Sequence, residues 1–239
     1  MSMEVLENLS QIKKSRAELK RLGVSQVVPP VARFFNRLRS SDFVSVGDQI
    51  KSWDVLRTFQ FLEEFASKGA AVLDIGCYAS EILMALHQSG YTRLVGADLS
   101  PNIKHMPHQD EISFEVTDFM NTPFPDESFS AITSISVIEH GFNQAGLLKE
   151  MSRLLSPGGY FIASFDYWPD KIDTTGVKFF NIEWTIFSKS EIDAFVTDAA
   201  SYYLFPIGEM KHAAVERPIK YGGKEYTFGW MVLRKKQPT

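Results

Sequence analysis

The chain has 239 residues and 44% hydrophobic content, enough apolar material for one sizeable domain with its own core. A formal net charge of −4 argues against a broad nucleic-acid surface, and a lone cysteine, Cys77, excludes an internal disulfide. No uninterrupted apolar stretch approaches membrane-spanning length, and the start Met1-Ser2-Met3-Glu4 leads into no apolar signal region, so a cytoplasmic protein without membrane contact is expected.

Residues 5–22 repeat with helical period, with Val5, Leu6, Leu9 and Ile12 on one side. Lys13, Lys14, Arg16, Lys20 and Arg21 crowd the second half and read as a solvated face, cations lying toward the helix C-terminus. Gly23 ends this helix, Pro29-Pro30 marks a connection, and residues 31–39 suggest a short helix. Ser52 opens another helix, with Val55, Leu56, Phe59, Leu62, Phe65 and Ala66 on its apolar face. Residues 1–69 thus read as a helical preface packed on the domain formed by 70–239, placed to act as a lid or as a homodimer contact.

From Ala70 onward strand and helix signals alternate, the pattern of an α/β sheet. Strands are predicted over 70–75, 93–98, 112–116, 129–135 and 160–165, with helices over 81–87 and 145–155 between them. Asp166 to Phe187 is a long aromatic-rich connection of the kind that often covers a site. Ser188 and Glu191 form a capping box, with Phe187 and Ile192 as a hydrophobic staple, which predicts a helix to about Ala200. Residues 202–207 and 226–233 are two last strands able to pair antiparallel. The sum is a Rossmann-like, seven-stranded, mostly parallel sheet with an antiparallel last strand and helices on both faces.

Three carboxylates fall at successive strand ends: Asp74, Asp98 and Asp118. In a doubly wound sheet those positions line the ligand crevice, and an acidic residue about 20 residues past a glycine turn suits ribose hydroxyls. Asp74 at the first turn disfavours a pyrophosphate and suits an amine-bearing ligand. The G-x-G-x-x-G turn of nicotinamide enzymes is absent after the first strand.

Val72-Leu73-Asp74-Ile75-Gly76-Cys77 resembles the first motif of class I S-adenosylmethionine-dependent methyltransferases, and Val95-Gly96-Ala97-Asp98-Leu99-Ser100-Pro101 resembles the second. Asp118 through Phe124-Pro125, Phe129 through Glu139-His140, and Arg153 through Gly159 are similar to later segments of the small-molecule, type 11-like branch. The resemblance implies S-adenosylmethionine as cofactor. Asp74, Ile75, Gly76, Cys77 and Tyr78 would form its methionine turn, Asp98 and Leu99 the ribose edge, Asp118 and Phe119 the adenine site, and Ser136 and Val137 the floor under the methionine. It further implies methyl transfer to an oxygen or nitrogen of a small molecule, a sugar among the options; the acidic net charge adds the expectation of no nucleic-acid partner. His140 is the candidate base. Trp53, His140, Tyr167, Trp168 and Trp184 are candidate acceptor contacts. No metal site is expected, since His105 and His108 lack a matching ligand cluster. Tyr78-Ala79-Ser80 stands where the family usually continues with glycines, which supports an alternative: a binding or scaffold protein that kept the fold without the cofactor.

Overall fold

The computed structural model describes residues 2–28, 44–179 and 182–237. The helix expected over 31–39 lies outside them. Five parallel strands make the centre of one sheet: β2 (Ala71–Ile75), β3 (Arg93–Asp98), β4 (Ile112–Val116), β5 (Phe129–Ile135) and β6 (Leu155–Tyr167). Their spatial order is β6-β5-β2-β3-β4. The chain therefore reverses its direction of winding between β2 and β5, and the crevice for a ligand opens there, at the carboxyl ends of both strands.

Beyond β6 the sheet continues with β11 (Lys224–Lys235), which is antiparallel to every strand it touches. Its length lets three short strands pair with it: β1 (Met3–Val5), β9 (Leu204–Pro206) and β10 (Ile219–Tyr221). Among the described residues the sheet thus has nine strands where the sequence suggests seven. The additions, β1 and β10, span three residues each. A hairpin of β7 (Lys178–Phe179) and β8 (Ile182–Glu183) stands apart within the long connection.

Alternation along the strands splits the core in two. Val72, Leu94, Ala131, Ile162 and Val232 pack under α1 (Leu9–Arg21), α2 (Ser52–Phe65) and α3 (Ile82–Gln88). Leu73, Ile75, Ile132, Phe161 and Phe165 pack under α4 (Gln144–Leu154) and α5 (Lys189–Ala200). The capping box of Ser188 and Glu191 is present, and Phe187 and Ile192 are both buried in the second core.

The N-terminal stretch departs from its expected form in two ways. Residues 3–5 are extended because they add to the edge of β11, with Met3 opposite Met231, and α1 starts only at Leu9, capped by the Asn8 side chain. Arg16, expected on the solvated face, is buried.

Candidate active site

Asp74 ends β2 at the reversal point. Thr133 of β5 donates a hydrogen bond to its Oδ1 (2.6 Å), while its Oδ2 is buried with no partner among the described residues. Burial holds the Asp74 carboxyl at about 7, with the Thr133 bond pulling the other way. A buried acceptor of this kind fits the amine of a methionine moiety, which would supply both the donor and the positive charge.

Gly76 follows at φ +66°, where a Cβ would come within 2.4 Å of Val137 Cγ2. Only glycine suits both the backbone and the packing of the β5 loop against this turn. Ile75 and Cys77 are fully buried. The Cys77 thiol lies where a Cβ on Gly96 would meet it at 2.6 Å, and burial pushes its pKa up.

Ala79 adopts φ +60°, the left-handed conformation a glycine would take without strain. Tyr78 turns outward, 41% exposed, and does not fill the crevice. The turn is tied to the N-terminal segment by a bond from Gly47 N–H to the Ala79 carbonyl (2.9 Å).

Asp98 ends β3 and accepts from Tyr78 N–H on Oδ2 (2.9 Å) and from Ser100 N–H on Oδ1 (2.7 Å). Each oxygen keeps a further lone pair, so the carboxylate is oriented and still able to accept a diol. Leu99 beside it is 60% exposed. Asp118 accepts from Met120 N–H, and Phe119 packs at the edge of the second core. These three carboxylates share the carboxyl edge of the sheet, as their strand-end positions predict.

Past β5, Ser136 sits at φ +55° and receives a hydrogen bond from Lys51 Nζ. Ser136 also lines a cavity of about 270 Å³, with Lys51, Glu139, His140, Asp166, Trp184 and Tyr226 around it. Asp166, at the end of β6, is held by Trp184 Nε1–H (2.7 Å). Its other oxygen is 3.9 Å from Lys51 Nζ. Burial drives Glu139 and Asp166 above the ordinary carboxylate range, and the charge of Asp166 adds to the rise of Glu139. Burial pulls the Lys51 pKa down, but Asp166, Asp54 and Glu139 outweigh it, so Lys51 stays a cation. Burial lowers the pKa of His140, which leaves a neutral imidazole whose Nδ1 is buried without a partner among the described residues.

Of the expected acceptor contacts, His140 and Trp184 line this cavity and three tryptophan and tyrosine positions do not. Trp53 is buried in the first core and lines a separate groove with Glu4, Gln11 and Arg57. Tyr167 lies in the second core with its hydroxyl bonded to the His212 carbonyl (2.9 Å), because adjacent strand residues face opposite ways and Asp166 takes the cavity side. Trp168 lies under the Arg217 guanidinium, 4.2 Å from its ring centre.

Lys51, Asp54, Glu139 and Asp166 escaped the sequence reading. Asp166 carries the same strand-end signal as the three aspartates singled out, and Lys51 and Asp54 share a helix face at i, i+3. Away from the cavity, His108 gathers with His87 and Glu111, their ligand atoms within 4.8 Å of one another.

Comparison with known proteins agrees with this geometry. The "Methyltransferase domain" family matches residues 73–163. "Probable tRNA methyltransferase 9B" of Homo sapiens is 33% identical over 146 residues, 60% of this chain. The match spans only 29% of that relative's own length. A geranyl diphosphate C-methyltransferase from Streptomyces coelicolor, solved with S-adenosyl-L-homocysteine, superposes with TM-score 0.53 at 18% identity, covering 75% of this chain and 78% of that one. The methyltransferase solved with the Haloferax volcanii Trm112 activator gives TM-score 0.53 at 21% identity, covering 81% and 100%.

These relatives overturn the expectation that nucleic acid is no partner. That expectation rested on net charge, which describes the whole surface and says nothing of a local one. No helix among the described residues is long and apolar enough to cross a membrane. The reversal point and the ordered strand-end aspartates agree with the comparisons: residues 73–163 match the methyltransferase domain family, and the sheet that carries them has the fold of S-adenosylmethionine-dependent methyltransferases.

Proposed function

We propose that the protein transfers a methyl group from S-adenosylmethionine to an oxygen or nitrogen of an acceptor seated in the cavity between Lys51, His140 and Trp184. The observation that carries this reading is the position of Ser136, which directly follows β5 at the winding reversal, next to the Val137 that packs on Gly76, and also lines the cavity. Cofactor crevice and acceptor cavity therefore adjoin. Bound S-adenosylmethionine supplies a methyl carbon on a sulfonium, which leaves as a neutral thioether.

The chain's own groups then have separable tasks. Asp74 takes the amine and Asp98 takes the ribose diol. Asp118 and Phe119 hold the adenine, with Leu99 and Tyr78 at the rim and Val137 under the methionine. Ser136 and the cavity walls bring the acceptor into line, and such alignment can lower a barrier by about 7–11 kcal/mol. The new bond forms to the methyl carbon as the carbon–sulfur bond breaks and sulfur keeps the electron pair. Where the acceptor loses a proton, neutral His140 receives it. The modest cavity, about 270 Å³, supports a compact acceptor such as a small metabolite.

A second reading is supported by the tRNA methyltransferase relative and by Lys13, Lys14 and Lys20, which stay exposed on α1. In it, the compact group in the cavity is a nucleoside of an RNA. One experiment tests both. Purified protein is incubated with methyl-tritiated S-adenosylmethionine and either a small-molecule extract or total tRNA. Label in the first supports a metabolite acceptor and label in the second an RNA acceptor. Label in neither, with cofactor bound, overturns the enzyme reading in favour of a binding protein.

A further inference from the structure

The polar atoms around the cavity are out of balance. Glu139 is 1% exposed and Asp166 4%, and Asp54, fully buried, sits one helical turn from Lys51. Glu139 Oε2, Asp166 Oδ1 and both Asp54 oxygens have no hydrogen-bond partner among the described residues. All four are acceptors. Against these three carboxylates stands Lys51, a quarter exposed, whose Nζ lies 3.9 Å from Asp166 Oδ1 and is shared with Ser136 and with the Phe228 ring, 3.9 Å from its centre. Lys220, also on the cavity wall, is neutralised at the rim by Glu225 (2.6 Å).

We infer that the acceptor carries a protonated amine, which docks against the open oxygens of Glu139 and Asp166 and the aromatic walls of Trp184 and Tyr226. The inference rests on the preceding reading of this cavity as the acceptor site and adds the chemical class of its occupant.

Three arguments support a cation over a neutral or anionic group. Unpaired buried acceptors call for a donor, and an ammonium brings three. Ionised carboxylates out of water are costly unless a positive charge accompanies them, and a hydroxyl supplies none. The walls offer ring faces, with Trp184 and Tyr226 centred 5.6 Å apart and Phe179 5.1 Å from Trp184, and ring faces attract cations. An anion would meet two carboxylates. Burial raises the pKa values of Glu139 and Asp166, the expected response of carboxylates short of accompanying positive charge.

The test uses the full chain saturated with S-adenosylhomocysteine and three probes of equal shape: benzylamine, benzyl alcohol and benzoate. Calorimetric titration is expected to show benzylamine binding at least about tenfold more tightly than benzyl alcohol, with benzoate weakest. Asp166→Asn and Glu139→Gln should each weaken benzylamine about tenfold and move benzyl alcohol little. Equal affinity for amine and alcohol, a preference for benzoate, or no benzylamine binding at about 10 mM overturns the inference. Wild-type protein alone decides these outcomes if a variant fails to fold. Intact S-adenosylhomocysteine binding alongside them leaves the methyltransferase reading standing, whereas its loss in the wild type sinks that reading instead.

Discussion

Arg16 and Glu81 form a buried two-pronged ion pair, Nη1 to Oε1 at 2.6 Å and Nη2 to Oε2 at 2.8 Å, which fastens α1 to the residue just before α3. Their side chains are 5% and 1% exposed. Arg16 also reaches Ser25, Ser52 and the Asp48 carbonyl, and Glu81 accepts from Gln26 N–H. The pair thus clamps the N-terminal segment beside the turn assigned to the cofactor. Removing one partner strands the other charge in the core. Glu81→Gln or Arg16→Met should cost about 3–5 kcal/mol of unfolding free energy in urea titrations, and the Arg16→Met/Glu81→Leu double variant should recover part of that loss.

At the turn itself, Gly76→Ala places a Cβ 2.4 Å from Val137 Cγ2 in a left-handed conformation. The expected cost is about 2 kcal/mol or more by chemical denaturation. Adding Val137→Ala relieves the clash and not the backbone strain, so the double variant should fall between the wild type and the single one.

Ala79 supplies the converse case. Its φ of +60° strains an alanine, and its link to Gly47 runs through its backbone carbonyl, which survives substitution. Ala79→Gly should therefore stabilise the protein by about 1 kcal/mol in the same assay.

The sequence displayed what is local and periodic. The box of Ser188 and Glu191 lies within one helical turn, and the strand-end aspartates each stand beside their own apolar run, so both were legible. Pairings that close over long loops were not. Met3 meets Met231 across nearly the whole chain, and nothing within three residues of Met3 reports a partner there. Arg16 looked like one more surface cation because its partner, Glu81, is remote in sequence. Trp184 lines the cavity and Tyr167 does not, for a different reason. The type of Tyr167 suits a binding wall, but the period of a strand ties it to the face opposite Asp166, and only the placement of Asp166 decides which face holds the cavity.

Asp54 gives a pH signature. Burial raises its carboxyl from the ordinary 3.8 to about 6. The folded protein then binds more protons than the unfolded chain between those values, so stability falls as pH rises from about 4 to about 6 and this contribution is level above. Urea unfolding at pH 5 and pH 7 should show Asp54→Asn losing less stability over that interval than the wild type, by on the order of 1–3 kcal/mol.

Asp74 makes a related prediction for binding. Its carboxyl, held at about 7 by burial, must ionise to pair with a cofactor amine. Affinity for S-adenosylhomocysteine should rise between pH 6 and pH 8, and Asp74→Asn should bind more weakly and lose that dependence.

Calorimetric titration of the wild type and of Asp98→Ala with S-adenosylhomocysteine tests the account most directly, because Asp98, held by Tyr78 and Ser100, is the residue proposed to accept the ribose diol. The expected result is saturable binding to the wild type, weakened at least about tenfold in the variant while its circular dichroism is unchanged. No heat and no thermal shift at about millimolar ligand, or equal affinity in the two proteins, would contradict it.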